Sequence, residues 1–230
     1  MPENWERAMA VVAHPDDLEY GVASAVARWT GQGKEVSYVL ATSGEAGIDA
    51  LAPAQCGPLR EEEERLGAAA VGVSHVEFLG LADGLVVEGI ELRRAIAGAI
   101  RRLRPDVLLT ISFDASWGPG GPLNHADHRA VGLAAVDAAR DAANRWLFGE
   151  LGPPWSGVRA VYVGGANDAT HYVDVSETLD AGIASLRAHR AYIEGLGRDF
   201  DPDAFLRGNA AQSGAAVGCR YATTFRAIPA

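Results

Sequence analysis

Ala8-Met9-Ala10-Val11-Val12-Ala13-His14-Pro15-Asp16-Asp17 is a short apolar run that ends in a histidine, a proline and two aspartates. The apolar half suits a buried strand, and the residues from Leu18 to Gly31, rich in Ala and Val, read as a helix. The polar cluster therefore lies on a strand-to-helix turn. In an open α/β sheet such a turn sits at the carboxyl edge of the strand, where ligands generally bind.

Outward from this stretch, apolar runs alternate with amphipathic or Ala-rich segments, the pattern of a parallel sheet covered by helices. Strands are expected at 8–14, 35–42, 75–80, 106–112 and 160–164, and helices near 18–31, 58–71, 89–103 and 125–145. A long helix from Ser176 to about Leu196 follows, then a helix over 201–218 and an extended end at 221–228. Pro105 after Arg104, and Gly31 with Gly33 after Thr30, supply helix stops. No linker divides the chain, so residues 1–230 read as one domain with a Rossmann-like three-layer αβα fold and a mostly parallel sheet. The connections at 43–57 and 113–124 are long and hold Gly, Pro, Ser and Trp, which marks them as functional loops.

With 30 acidic against 20 basic side chains the formal charge is −10, which disfavours binding to nucleic acid or anionic lipid. Arg93, Arg94, Arg101, Arg102 and Arg104 fall on one helix and read as a solvated face. Cys56 and Cys219 are far apart and form no CxxC pair, so neither a disulfide framework nor a cysteine zinc site is indicated, and a reducing cytoplasm fits. There is no apolar leader before the first strand and no run long enough to span a membrane. The oligomeric state, a homo-oligomer included, is not fixed by the sequence.

A second cluster, Asn124-His125-Ala126-Asp127-His128, opens the helix after the fourth strand, again at the carboxyl edge. Two histidines three apart share a helix face, and Asn124 is a suitable N-cap. Imidazoles and a carboxylate are good Zn²⁺ ligands, and His14, Asp17 and His128 would supply two nitrogens and an oxygen. Iron(II) fits the same donors. The plainer reading, that Asp16 and Asp17 merely cap the first helix, accounts for one carboxylate but not for two beside a histidine. No GxGxxG follows the first strand, which weakens a nucleotide-cofactor reading.

His14-Pro-Asp-Asp17 followed by Leu-Glu-Tyr-Gly21, and later His125-Ala-Asp-His128, resembles the PIG-L/LmbE-like family of zinc-dependent N-deacetylases. Thr42-Ser-Gly-Glu-Ala-Gly47, Arg60 with Glu63, Leu79-Gly-Leu-Ala-Asp-Gly84, Arg104-Pro-Asp-Val107 and His189 extend the likeness over most of the chain, with Ala126 standing where the family usually has Pro. The resemblance implies that His14, Asp17 and His128 bind the metal and that Asp16 is the general base. It further implies that His125 stabilises the oxyanion or acts as general acid, that Asp127 orients His125, and that Arg60 and Asp83 hold sugar hydroxyls. Against the role of Arg60 stands a surface ion pair with the Glu61–Glu64 run. His75, His171 and His189 read as structural, and Trp117 as a pocket wall or a loop anchor.

The expected activity is thus hydrolysis of an N-acetyl group from a small-molecule amino sugar or its conjugate. Two other readings share the same residues: a non-catalytic sugar-binding module, and a metal-dependent enzyme for another amide, such as a thiol conjugate, or for a phosphoester.

Overall fold

A computed structural model describes residues 1–118 and 120–230, so the predicted 113–124 loop is described except at position 119. The first strand, β1 (Arg7–Val12), is buried on both faces. Ala8, Ala10 and Val12 face one apolar layer while Met9, Val11 and Ala13 face the other, the period of two that a central strand requires. Around it lie β2 (Glu35–Thr42), β3 (His75–Leu81), β4 (Val107–Ile111), β5 (Ala160–Gly164), β6 (His171–Asp174) and β7 (Ala222–Pro229). Their order in the sheet is β3-β2-β1-β4-β5-β7-β6. The first five strands run parallel, and β7 is antiparallel to both of its neighbours. This is the mostly parallel α/β sheet that the alternation predicts.

The helices are α1 (Ala23–Gly31), α2 (Pro53–Ala70), α3 (Ile90–Leu103), α4 (Ala126–Ala143), α5 (Leu179–Arg187), α6 (Arg190–Gly195) and α7 (Pro202–Val217). Residues of α1 and α2 join the layer around Trp29, Tyr38 and Phe225; α3 and α4 build the opposite layer. Chain order reverses between β1 and β4, the two strands whose carboxyl ends carry the polar clusters. A crevice opens at such a switch point.

Several expected boundaries are corrected. The first helix starts at Ala23, not Leu18, and no side chain caps it: Asp16 and Asp17 are engaged elsewhere. The second helix starts at Pro53 and carries Pro58 inside it, so residues 53–57 are helix rather than loop. Proline is at ease in a first turn. The long helix expected over 176–196 is two, broken at Ala188 and His189, and the amides of Ala191 and Tyr192 donate to the Glu63 carboxylate (2.6 and 3.4 Å). That carboxylate serves the new N-terminus as a cap would. β6 has no counterpart among the expected strands because only Val173 in it is buried. Asn124 is not the N-cap of α4; His125 is.

Arg101 departs from the solvated face expected of its helix. It is buried and its guanidinium donates to the carbonyls of Asp141, Ala142, Asn144 and Leu147 at the end of α4. A cation suits a helix C-terminus, where carbonyls lack intrahelical partners.

Candidate metal centre and its cavity

Beyond β1 the chain folds back on itself. Asp17 Oδ2 accepts hydrogen bonds from the amides of Ala13 and His14, both at 2.9 Å, which leaves Oδ1 free to face the crevice. Oδ1 lies 3.0 Å from His128 Nε2, and His14 Nδ1 lies 3.1 Å from the same nitrogen. The structure thus brings together His14, Asp17 and His128 from two ends of adjacent strands, all three buried.

The remaining nitrogens decide the tautomers. Asn124 Nδ2 donates to the carbonyls of Ser112 (2.7 Å) and Asp114 (3.0 Å), so its Oδ1 is the atom 2.9 Å from His128 Nδ1. Oδ1 can only accept, which puts the proton of a neutral His128 on Nδ1 and a lone pair on Nε2. His14 Nε2 faces two carboxylates, Asp83 Oδ1 at 3.1 Å and Asp127 Oδ2 at 3.3 Å, and therefore carries a proton too. A neutral His14 then presents a lone pair at Nδ1. With both imidazoles neutral, as ligands to a cation must be, two lone pairs and a carboxylate oxygen converge. That donor set fits a divalent cation, and histidine ligands commonly give their other N–H to a carboxylate or carbonyl in this way.

Charge agrees with geometry. Burial disfavours the His14 imidazolium, but hydrogen bonds to Asp127, Asp17 and Asp83 outweigh it and raise its pKa to about 12. The position is built for positive charge. Asp17 is held well below the usual carboxylate range, since His128 and His14 overcome the effect of burial.

Asp16 is treated differently. Its backbone has φ 85, a left-handed conformation for which a side chain costs about 1–2 kcal/mol. Its Oδ2 accepts from Arg60 Nη2 at 3.2 Å, and burial pushes its pKa up to about 7 against the pull of that guanidinium. Arg60 is itself buried and donates to the carbonyls of Pro15 (2.6 Å) and Gly44 (3.0 Å), with the Tyr192 ring 4.3 Å from its centre. The alternative of a surface ion pair is thereby set aside. Gly44 allows the approach: with φ 61, a Cβ there would lie 2.2 Å from Arg60 Nη1.

His125 is exposed at the mouth of the crevice, stacked on His128 with ring centres 4.8 Å apart. Partial burial, with His128 and His14 nearby, lowers its pKa. Asp127 does not meet it: among the described residues the two share no hydrogen bond. Asp127 instead accepts from the amides of Gly84 (2.7 Å) and Val86 (3.2 Å) as well as facing His14. Asp83 accepts from the Ala46 amide at 2.9 Å and borders the cavity.

These groups form one end of a cavity of about 750 Å³ whose other walls include Tyr20, Trp117, Tyr192, Phe200 and Phe205. The Trp117 and His128 rings stand edge to face with centres 5.9 Å apart, so Trp117 walls the site. The two tyrosines, the two phenylalanines and Asn124 escape a reading of motifs because they lie outside the His/Asp clusters or look like caps and core; Tyr192 stands only three residues from His189. His75 is on β3 and His171 on β6, while His189 is wholly buried behind Asp16.

Residues 9–139 match the family model described as GlcNAc-PI de-N-acetylase (PIG-L). The chain is 27% identical to a diacetylchitobiose deacetylase of Thermococcus kodakarensis, over 97% of its own length and 84% of the relative. It is 29% identical to a 1D-myo-inositol 2-acetamido-2-deoxy-alpha-D-glucopyranoside deacetylase of Rhodococcus erythropolis, over 68% of this chain and 60% of that one. Among solved structures, the N,N'-diacetylchitobiose deacetylase of Pyrococcus horikoshii superposes with a TM-score of 0.86 at 23% identity, covering 99% of this chain and 85% of the other.

Proposed function

This chain belongs to the GlcNAc-PI de-N-acetylase family, and on that premise we propose that it hydrolyses the N-acetyl group of an N-acetylglucosamine-type amino sugar or conjugate, releasing acetate and a free amine. The observation that carries the proposal is the convergence of His14 Nδ1, Asp17 Oδ1 and His128 Nε2 beside a second carboxylate, Asp16, that lies outside this donor set, at the end of a cavity large enough for a sugar.

His14, Asp17 and His128 would hold Zn²⁺, with Fe²⁺ as the alternative for the same donors. When bound, the ion polarises the amide carbonyl and brings the pKa of a neighbouring water toward about 7. The protein does the rest. Asp16 takes a proton from the attacking water and returns it to the departing nitrogen as the C–N bond breaks, the work of a carboxylate whose pKa lies near neutrality. Arg60 fixes the direction of that carboxylate, with Nη1 on the Gly44 carbonyl and Nη2 on Asp16 and the Pro15 carbonyl, and it also lines the cavity in which sugar hydroxyls would lie. His125, at the mouth, donates to the oxygen that gains charge in the transition state. Asp127 and Asp83 act through His14: they keep its Nε2 protonated and its Nδ1 aimed inward. Asp83 also reaches the cavity, where it accepts from a sugar hydroxyl. The aromatic walls supply stacking faces for the ring and for what it is joined to.

A non-catalytic binding module would have no use for Asp16, placed in a costly backbone conformation beside the donor set. Among the described residues no helix is long and apolar enough to cross a membrane. The free thiols Cys56 and Cys219 accord with a cytoplasmic setting.

The test is acetate release from N-acetylglucosaminyl probes, with N,N'-diacetylchitobiose among them, by protein loaded with Zn²⁺. Wild type should release acetate, and Asp16→Asn should bind the metal normally but lose about 10²-fold or more in rate. Absence of acetate from every N-acetyl sugar, or a fully active Asp16→Asn, overturns the proposal.

A further inference from the structure

Directly behind Asp16, away from the cavity, lies a second group of ionisable side chains that the chemistry above leaves without a task. Glu19, Glu64 and His189 are fully buried and bring one ligand-type atom each within 4.8 Å of the others. His189 Nε2 is 3.7 Å from Glu64 Oε2, and Ser185 Oγ is 3.1 Å from Glu19 Oε1. The turn before α1, helix α2 and the break between α5 and α6 must come close for this to happen. Gly67 permits it, since a Cβ there would stand 3.0 Å from His189 Nε2 and 3.1 Å from the Ser185 carbonyl oxygen.

One atom of the group points forward: Glu64 Oε2 accepts the hydrogen bond of the Asp16 amide at 3.0 Å. Arg60, one turn earlier on α2, takes Oδ2 of the same residue and the carbonyl of Pro15. Two side chains of a single helix thus grip Asp16, one by its carboxylate and one by its backbone. Without the second grip the Asp16 amide loses its acceptor, and the left-handed φ of 85 is held only from either side, by Arg60 on the Pro15 carbonyl and by the Glu19 and Tyr20 amides on the Asp16 carbonyl, so relaxation toward the ordinary region would swing the side chain away from its present direction. Asp17 has separate support, from the amides of Ala13 and His14.

We propose that Glu64 is a positioning residue for proton transfer: its buried carboxyl group holds the Asp16 backbone in the left-handed conformation that aims the Asp16 carboxylate into the cavity, with His189 and Glu19 packed behind it to hold Glu64 in place. The proposal rests on the assignment of Asp16 as the base. It separates two supports within one turn, Glu64 for the base and the amides of Ala13 and His14 for the metal ligand.

The discriminating variants are Glu64→Asp, which withdraws the acceptor by one methylene, and Glu64→Gln, whose amide oxygen still accepts. In Zn²⁺-loaded enzyme, Glu64→Asp should lower kcat about tenfold or more while KM and bound metal stay within about twofold, because displacing a reacting group by a fraction of an ångström to an ångström is felt in the rate. Glu64→Gln should restore kcat to within about threefold of wild type. Independently of any substrate, amide hydrogen exchange at Asp16 should be protected in wild type and in Glu64→Gln, and should accelerate about tenfold or more in Glu64→Asp. An unprotected Asp16 amide in wild type overturns the proposal, as does wild-type kcat in Glu64→Asp, equal losses in both variants, or loss of the metal from Glu64→Asp. If wild type releases no acetate, the deacetylase reading falls while the exchange measurement still decides whether Glu64 holds Asp16.

Discussion

Replacing Asn124 with Ala tests the tautomer argument on which the metal centre rests. The side chain is 1% exposed and makes three hydrogen bonds: it donates to the Ser112 and Asp114 carbonyls and accepts from His128 Nδ1. At about 1 kcal/mol net for each, their loss should cost the fold about 3 kcal/mol, whether or not a metal is present. The metal site should suffer in addition. Released from Asn124, His128 is free to rotate and to place its proton on Nε2, the nitrogen that faces Asp17 and His14. Partners of this kind are worth about 10–100-fold in metal affinity, or about 1.4–2.7 kcal/mol. Competition for Zn²⁺ against a chromophoric chelator measures the second quantity, and denaturant unfolding in excess chelator measures the first. A variant that is destabilised by about 3 kcal/mol yet binds Zn²⁺ within about twofold of wild type would refute the role assigned to Asn124.

Arg60→Lys keeps the charge but cannot reach Pro15, Gly44 and Asp16 together, so acetate release should fall about tenfold or more with the metal content unchanged, measured by initial rates and elemental analysis. Arg101→Met leaves buried carbonyls at the end of α4 without a donor and should cost about 2–4 kcal/mol in urea unfolding, with kcat of the folded protein unaltered. His189 provides a pH test: burial, with Arg60 nearby, lowers its pKa from 6.5 to about 3. A depressed histidine favours the fold fully above its unfolded pKa and loses that contribution as the pH falls toward the folded value. Stability of the metal-free protein should therefore decline by up to about 1.4 kcal/mol per pH unit below 6.5, and His189→Gln should flatten that slope.

The fold and the two polar clusters were legible because each is written locally. The alternation in Met9, Val11 and Ala13 against Ala8, Ala10 and Val12 is a property of six adjacent residues, and a sheet buried on both sides follows from it. Histidines with aspartates at two strand ends identify themselves by type. What sequence hid was the partner of each group. Arg60 sits before four glutamates, yet its charge is met by Asp16, 44 residues away. Arg101 looks like one more surface arginine until α4 delivers its carbonyls. Asn124 has the residue type of a cap, but the loop turns it onto His128 instead. The break at His189 carries no glycine or proline; it exists because α2 offers Glu63 to the amides beyond it. Asp127 stands beside His125 in the sequence, but the helix start directs its carboxylate to loop amides and His14.

The fold-back at Asp17 bears on what happens when the metal leaves. One carboxylate oxygen is already anchored to the Ala13 and His14 amides, and the imidazoles are anchored through Asn124, Asp83 and Asp127. None of these anchors requires an ion. The ligands are thus pre-organised at the expense of folding rather than at the moment of metal capture, so an ion arriving from water has little chain entropy to quench. If these residues hold the ion, the metal-free protein should keep its fold and an arriving ion should chiefly displace a proton from His14, in contrast to small zinc domains for which the ion is the core.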